Sequence, residues 1–591
     1  MNNKSTIKKT LFSQPSSQII PNFWDLTAWL LMIAILSSIA WGASRMASPY
    51  HLGQTIKISL NPDELPLYAL QTTLRMFIAL ILSFIFTFMV GALAAKNKTA
   101  EMIIIPLIDI LQSVPILGYL SIFVIGFIWL FPNSRIGPEC AAIFAVFTSQ
   151  VWNMTLSFYQ SLKTVPNELV EATQVYQLNT WQRFWRLDVP FAMPGLLWNA
   201  MISMSGGWFF VVASEAISVN NQSITLPGIG SYIALATSQG SLTAISYAII
   251  TMLLVILLYD QVFFRPLVAW SEKFSLSDIP EESRSSWILD ILHKAKFTQN
   301  ILSKTGQLFN AFINIKIFNK SKDKSKSKTS HKKTNKYISK NHTNLLYKSL
   351  IISFLLIILI ISVYLLKEFL WGKISLEKLF HVITLGLYTG LRVMFLILIC
   401  SLIWVPIGVH VGLNSQLTKR VQGITQFLAA FPANLLFPLF FVLINKFNLN
   451  IQIWCAPLMV LGTQWYILFN IVAGASVIPK ELKLAAKNMQ LSGWTKWKKF
   501  YLPAIFPYYV TGAITASGGA WNASVVAEYI TWKGHTLSAT GLGAYITQKT
   551  NQGDFEELAL GVIIMASWVT LINIVFWRKL YRYAQSKFNY N

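Results

Sequence analysis

Hydrophobic runs of about twenty residues recur from one end of the chain to the other, and nothing else narrows its folding choices so far. Each run is long enough to cross a ~30 Å hydrocarbon core as a helix. Lipid supplies no partner for backbone N–H and C=O groups, so a spanning segment must satisfy them within itself. A barrel would show alternating strands of ~10 residues instead. Apolar residues make up 54% of the 591 and charged residues 12%, too little charge to coat a water-soluble protein of this length. The expected fold is all-α and polytopic. Twelve spans are predicted, near residues 25–45, 68–94, 102–131, 139–160, 196–218, 242–263, 348–367, 381–411, 422–445, 452–473, 509–530 and 557–577.

A net charge of +24 raises the question of nucleic acid, and the placement of the charge answers it. Lys and Arg collect at Lys4, Lys8 and Lys9 and around 96–98, 183–186, 265–348, 419–420, 480–499 and 578–587. With alternating spans these sites share one side, as the positive-inside rule requires. Both termini and the loops 161–195 and 474–508 are then cytoplasmic. The apolar run from Trp24 to Ala43 reads as an uncleaved signal anchor. The expected organisation is a tail (1–24), a six-span half (25–263), a linker (264–347), a second six-span half (348–577) and a tail (578–591). Within the linker, 286–318 has the pattern of amphipathic helices lying on an anionic membrane surface. Residues 319–344, rich in Lys and Ser, have the composition of disordered chain. No aromatics alternate with those lysines, so nucleic acid is not an expected partner. Cys140, Cys400 and Cys455 lie singly, and neither they nor the seven histidines have metal-ligand spacing.

The chain repeats itself. An offset of 313 residues places Pro166 on Pro479, Glu168 on Glu481, Gln177 on Gln490, Trp181 on Trp494, Pro190 on Pro503, Pro194 on Pro507 and Glu215 on Glu528. LPGIGSYI (226–233) falls on ATGLGAYI (539–546) at the same offset. Upstream the register slips by a few residues, so that Arg75 meets Arg392 and Pro115 meets Pro432. Two homologous halves, each with an even number of spans, are related by a pseudo-twofold along the membrane normal.

The repeated inner loop reads EATQVYQLNTWQRFWRLDVPFAMP (171–194) in the first half and LAAKNMQLSGWTKWKKFYLPAIFP (484–507) in the second. It resembles the EAA loop of ABC importer permeases. In that family the loop forms a short helix, a turn and a second segment, and docks into a cleft on a cytoplasmic ATPase. The resemblance assigns this coupling role to Glu171, Ala172, Gln177, Pro190 and Pro194, and to Ala485, Ala486, Gln490, Pro503 and Pro507. The family glycine is Gln177 in one half and Gln490 in the other, and its leading glutamate is Leu484 in the second half. The physical chemistry fits such a loop. Pro166, Asn167 and Glu168 supply helix-start chemistry, and the alanines keep the helix thin enough for close approach. Asn179 and Gly493 tolerate a left-handed turn, and the paired prolines are expected to mark a rigid corner where the loop enters the next span.

MSGGWFFVVASE (204–215) and ASGGAWNASVVAE (516–528) further resemble the nitrate, sulfonate and taurine branch of these permeases. That resemblance implies a small anion as solute, two copies of a separate ATPase that uses ATP and Mg, a periplasmic solute-binding protein, and the bacterial inner membrane. The chain itself has no G-x-x-x-x-G-K-[ST] loop to hold nucleotide, and no catalytic or metal constellation.

Candidate path or gate residues follow from what is costly inside a span. Gly206, Gly207, Gly518 and Gly519 weaken a helix unless they serve close packing or a hinge. Glu215 and Glu528 are ionisable, and Arg75 and Arg392 lie at similar depth. The pairs Arg75–Glu215 and Arg392–Glu528, or cross-half versions of them, are expected either to brace the structure or to gate the path. Pro115 and Pro432 break the third span of each half, as lining of a path or as plain kinks. Trp208, Trp521 and Asn522 are weaker candidates. Two further readings stay open. One is a secondary transporter with two parallel six-span halves driven by an ion gradient; the other is a scaffold that binds ATPases and moves nothing.

Overall fold

The computed structural model describes residues 58–112, 114–132, 134–219, 222–274, 287–314 and 375–588, with isolated positions between 26 and 46. They fall into two compact units. One is drawn from the segments Met1–Trp41, Val165–Pro194 and Tyr259–Lys322, the other from Gly42–Thr164, Gly195–Leu258 and Asp323–Asn591.

In the first half the order is α1 (Pro62–Lys96), α2 (Lys98–Leu111), α3 (Ile116–Leu130), α4 (Ile136–Lys163), α5 (Asn167–Val175), α6 (Thr180–Ser214), the hairpin β1 (Ala216–Val219) and β2 (Gln222–Thr225), α7 (Ile229–Gln239) and α8 (Leu242–Ser271). The linker contributes α9 (Trp287–Lys294) and α10 (Lys296–Ile313). The second half follows with α11 (Leu376–Gly412), α12 (Ser415–Ala430), α13 (Ala433–Lys446), α14 (Ile451–Val460), α15 (Gln464–Ser476), α16 (Lys480–Asn488), α17 (residues 493–527), the hairpin β3 (Tyr529–Trp532) and β4 (His535–Ser538), α18 (Leu542–Gln552) and α19 (Phe555–Ala584).

The duplication is visible in the irregularities. Wide π-turns occur at Phe184–Asp188 and Trp497–Tyr501, and again at Asp260–Phe264 and Asn573–Trp577, each pair at the sequence offset. α7 and α18 both end on a left-handed glycine, Gly240 with φ 69° and Gly553 with φ 72°, where the absence of Cβ removes the steric penalty.

Among the described residues five helices are long and apolar enough to cross a membrane, or up to seven if each bent pair counts as one span. The twelve expected spans are not reached there. The predicted spans 25–45 (isolated positions apart) and 348–367, and the tract 319–344, lie outside the described residues. The spans predicted at 102–131 and 422–445 are each two helices broken before Pro115 and Pro432, as their prolines led one to expect. A third break was not foreseen: α14 and α15 meet at a 42° bend, whereas the equivalent α4 is continuous. Gly462 lies in that bend and Pro457, which lacks an N–H, lies in the preceding helix.

Two spans end earlier than predicted. The 196–218 prediction stops as helix at Ser214 and the 509–530 prediction at Ala527, each giving way to an antiparallel hairpin. Ile217 pairs with Ile224 and Ile530 with Leu537. The second hairpin turns on Lys533 and Gly534, both at positive φ, the conformation that matches a two-residue turn to strand twist. Apolar composition alone does not separate these short β segments from the helix end that precedes them.

Candidate functional site

The two repeated loops fold alike. α5 and α16 each begin after a proline in extended conformation, Pro166 and Pro479, with Glu168 and Glu481 in the first turn, where acidic charge meets the positive end of the helix dipole. Glu171 is exposed and Ala172 half-buried. In the second loop Ala485 is exposed but Ala486 is buried, so Ala486 packs inward and presents nothing to a partner.

The turn that follows corrects one expectation. The left-handed residue is Gln177 in the first loop (φ 52°) and Gln490 in the second (φ 50°). Gly493 is also left-handed, at φ 51°, but Asn179 is extended. Its side chain accepts from the Gln182 backbone N–H at 2.8 Å while Gln182 Oε1 accepts from the Asn179 N–H at 3.1 Å. This is a reciprocal N-cap that starts α6. Asn can adopt either role, and only the tertiary turn chooses between them.

A second correction concerns the prolines. Pro190 and Pro194 lie inside a helix that runs unbroken through Thr180–Ser214, and Pro503 and Pro507 lie within residues 493–527 in the same way. The corner is the turn at 176–179 and its counterpart at 489–492. A proline ring collides with the carbonyl one turn back and donates no hydrogen bond. The π-turn just before Pro190 and Pro503 widens the helix there, so the chain passes through without kinking into a loop.

Two arginine clusters, one around the fully buried Arg75 and one around the partly exposed Arg392, hold the hairpin ends of α6 and α17 to α1 and α11. Arg75 Nε and Nη2 donate to Glu139 at 2.6 and 2.7 Å, and Nη1 donates to Glu215 at 2.6 Å and to the Pro227 carbonyl at 3.0 Å. The Gly230 N–H donates to Glu215 at 2.7 Å and the Ile229 N–H to Thr72 Oγ1 at 3.1 Å. In the second half Arg392 pairs with Glu528 and donates to the Thr540 carbonyl at 3.3 Å. Thr389 Oγ1 and the Gly543 N–H also donate to Glu528, at 3.0 and 2.9 Å. Both predicted pairs therefore form, within halves rather than across them.

The clusters are not identical, and the difference was missed in the sequence. Glu139, at the head of α4, has Gln452 as its counterpart at the 313-residue offset. Gln452 Oε1 accepts from the Thr540 N–H at 2.8 Å and its Nε2 donates to Thr540 Oγ1 at 3.1 Å. Among the described residues, one guanidinium thus meets two carboxylates in the first half and one in the second. The signal for Glu139 was an ionisable residue opening an apolar span, which deserves a partner on physical grounds.

The breaks at Pro115 and Pro432 are each bridged by a hydrogen bond across the pseudo-twofold. The Ile116 N–H donates to Asn522 Oδ1 at 2.7 Å, and Asn434 Nδ2 donates to the Phe209 carbonyl at 3.3 Å. Position 209 is the counterpart of 522, so each broken span leans on the same turn of the opposite half.

Neither glycine pair interrupts its helix. A Cβ on Gly206 would meet Tyr466 Oη at 2.8 Å, one on Gly207 would meet Gln150 Nε2 at 2.9 Å, and one on Gly519 would meet the Thr463 side chain. These three serve close packing, whereas Gly518 faces open space. Trp208 and Trp521 are fully buried in helix packing. A small cavity lies between the halves, lined by Trp198, Met201 and Ser205 on one side and Gln426, Tyr466 and Phe469 on the other. None of the sequence candidates lines it. Single polar residues in apolar helices carry no pattern that would have found them.

With this geometry in view, comparison with known proteins is informative. Residues 87–263 and again 404–584 match the family model of the binding-protein-dependent transport system inner membrane component. Over 181 residues the chain is 29% identical to the bicarbonate transport system permease protein CmpB of Synechococcus elongatus, covering 30% of this chain and 62% of that protein. It is 27% identical over 177 residues to the nitrate import permease protein NrtB of Leptolyngbya laminosa, covering 30% and 60%. It is 28% identical over 144 residues to the taurine transport system permease protein TauC of Escherichia coli, covering 24% and 50%. The chain thus spans about half to three-fifths of the length of these curated relatives.

Proposed function

Because the chain belongs to the family of binding-protein-dependent transport system inner membrane components, matched in both of its halves, we propose that it supplies both membrane halves of an ATP-driven importer. The solute class is a small molecule bearing an anionic group. Bicarbonate, nitrate and taurine are what the relatives' names specify, and they set the first compounds to try.

In this reading two copies of a separate ATPase, which use ATP and Mg, grip the loops 161–195 and 474–508. A periplasmic solute-binding protein delivers the solute to the opposite face of the bacterial inner membrane, and both termini are cytoplasmic. The observation that carries the reading is the repeated mechanical unit. A short exposed helix, a left-handed turn and a long helix that passes its prolines without breaking recur 313 residues apart. Force applied to α5 or α16 is transmitted along α6 or α17 to its far end, where Glu215 and Glu528 are anchored on Arg75 and Arg392. Those anchors brace the path, and the bridged breaks at Pro115 and Pro432 are the joints that open between the halves. Gly206, Gly207 and Gly519 let α6 and α17 move against their neighbours at close range.

The test is uptake of labelled bicarbonate, nitrate and taurine, with a candidate solute-binding protein present, into vesicles that contain the chain with and without a candidate ATPase. Uptake that needs both the ATPase and ATP supports the proposal. Equal uptake without ATP, driven by an ion gradient, rejects it.

A further inference from the structure

The two loops match in backbone but differ in what covers them. On the first, the last turn of the linker helix α10 lies against the start of α6. The Phe312 ring stands edge-on to Trp181, with 5.3 Å between centroids, and to Trp185 at 6.4 Å. Trp181 Nε1 donates to the Phe312 carbonyl at 3.3 Å. Asn314 Oδ1 accepts from Arg186 at 2.9 Å and from Gln182 at 3.4 Å. Ile313, between them, is buried. Residues 181, 182, 185 and 186 form one helical stripe, and α10 occupies it.

The same stripe in the second loop is built differently. Its members are Trp494, Thr495, Lys498 and Lys499. Trp494 is 74% exposed, and a lysine stands where Trp185 completes the aromatic slot for Phe312. The slot therefore exists only in the half that the linker follows. Among the described residues nothing covers the end of α5, where Val175 is 80% and Tyr176 78% exposed.

We propose that α10 is an intramolecular strap that stabilises the first coupling loop in advance, while the second, equally folded but with Trp494 bare, gains that cover only from its ATPase. The strap holds the stripe and leaves α5 to the partner, so it acts as a brace and not as a competitor. The linker thereby makes the two ATPase positions inequivalent. The partner's identity rests on the function proposed above; the strap itself does not.

Hydrogen exchange on the full-length chain in lipid discs, without ATPase, tests the strap. Amides at 180–188 are expected to exchange roughly tenfold more slowly than those at 493–501, the scale of one or two aromatic contacts. Phe312→Ala with Asn314→Ala should erase the difference. Trp185→Lys, which copies the second loop and leaves the sequence of α10 intact, should do the same. Equal exchange in the unaltered chain, or no response to either variant, overturns the strap. Its bracing role is read with the ATPase present. A Trp181→Cys and Phe312→Cys cross-link that closes the strap should preserve ATPase capture by the first loop in a Trp494→Asp background. Loss of capture on cross-linking would make the strap a competitor and overturn the brace. Failure of the unaltered chain to capture any ATPase would count against the importer reading, and the exchange result would then decide the strap alone.

Discussion

The backbone N–H of Ile116 reaches Asn522, 406 residues further along the chain, in a 2.7 Å hydrogen bond. The first turn of a helix leaves its N–H groups without partners, and α3 begins inside the packed halves, where water is scarce. A side chain of the opposite half satisfies one of them. The break before α3 and the junction between halves are therefore one feature, so that separating the halves at this point uncovers a helix end.

Asn522→Ala removes that acceptor. A lost cap of this kind costs about 1–2 kcal/mol, which should appear as a lower midpoint in thermal unfolding in detergent and as faster exchange at 116–118. Asn522→Asp keeps an acceptor oxygen and should retain most of the protection. Unchanged exchange in Asn522→Ala would show that the bond contributes nothing.

The arginine clusters should respond unequally to loss of a carboxylate. Glu139→Gln leaves Arg75 with Glu215, while Glu528→Gln leaves Arg392 with no carboxylate among the described residues, since Gln452 is already neutral. Leaving one charge of a fully buried pair uncompensated costs about 3–5 kcal/mol, and the partial exposure of Arg392 puts its loss at or below the lower end of that range. Glu528→Gln is thus expected to lower folded yield and thermal midpoint well below those of Glu139→Gln. Adding Gln452→Glu should recover part of the loss. Equal effects of the two single variants would contradict the reading.

Gln177 and Gln490 occupy a conformation that costs a side-chain-bearing residue about 1–2 kcal/mol. Glycine removes that strain at an entropic cost of ~0.5–1 kcal/mol, so Gln177→Gly and Gln490→Gly should each stabilise by up to ~1 kcal/mol. Thermal unfolding measures this. A drop in midpoint for both would mean that the glutamine side chains contribute more than the strain.

Glu101, at the start of α2, accepts from Lys163 at 2.7 Å and from Tyr159 at 2.5 Å. The Lys163 hydrogen bond, with that of Tyr159, holds its carboxyl below the usual range. A depressed carboxylate stabilises the fold fully above its unfolded value of about 4.3 and loses that contribution as pH falls through the lower folded value. The tie between α2 and the end of α4 should loosen below about pH 4, read as rising exchange at 98–103. Glu101→Gln should show the loose state at neutral pH and no further acid response in this segment.

Much of this architecture was legible before any tertiary structure. Apolar run length, Pro115, Pro432 and the 313-residue offset are local or self-comparing signals, and they led to helices, breaks and duplication. The Arg75–Glu215 and Arg392–Glu528 pairs were also within reach, because a charge inside an apolar span requires an opposite charge. Glu139 and Gln452 were not recognised, since the mismatch acquires meaning only once Arg75 is seen holding two carboxylates.

Chain order and composition, then, determined that the molecule is a doubled set of apolar helices with two alike polar loops. Only the tertiary structure decided that Gln177 and not Asn179 turns left-handed, that the prolines ride inside α6 and α17, that hairpins replace the last turns of two predicted spans, and that Phe312 fills a slot found on one loop alone. The physical reason is range. Helix formation depends on neighbours within a turn or two, while a cap, a strap or a buried ion pair depends on which distant group arrives to satisfy it.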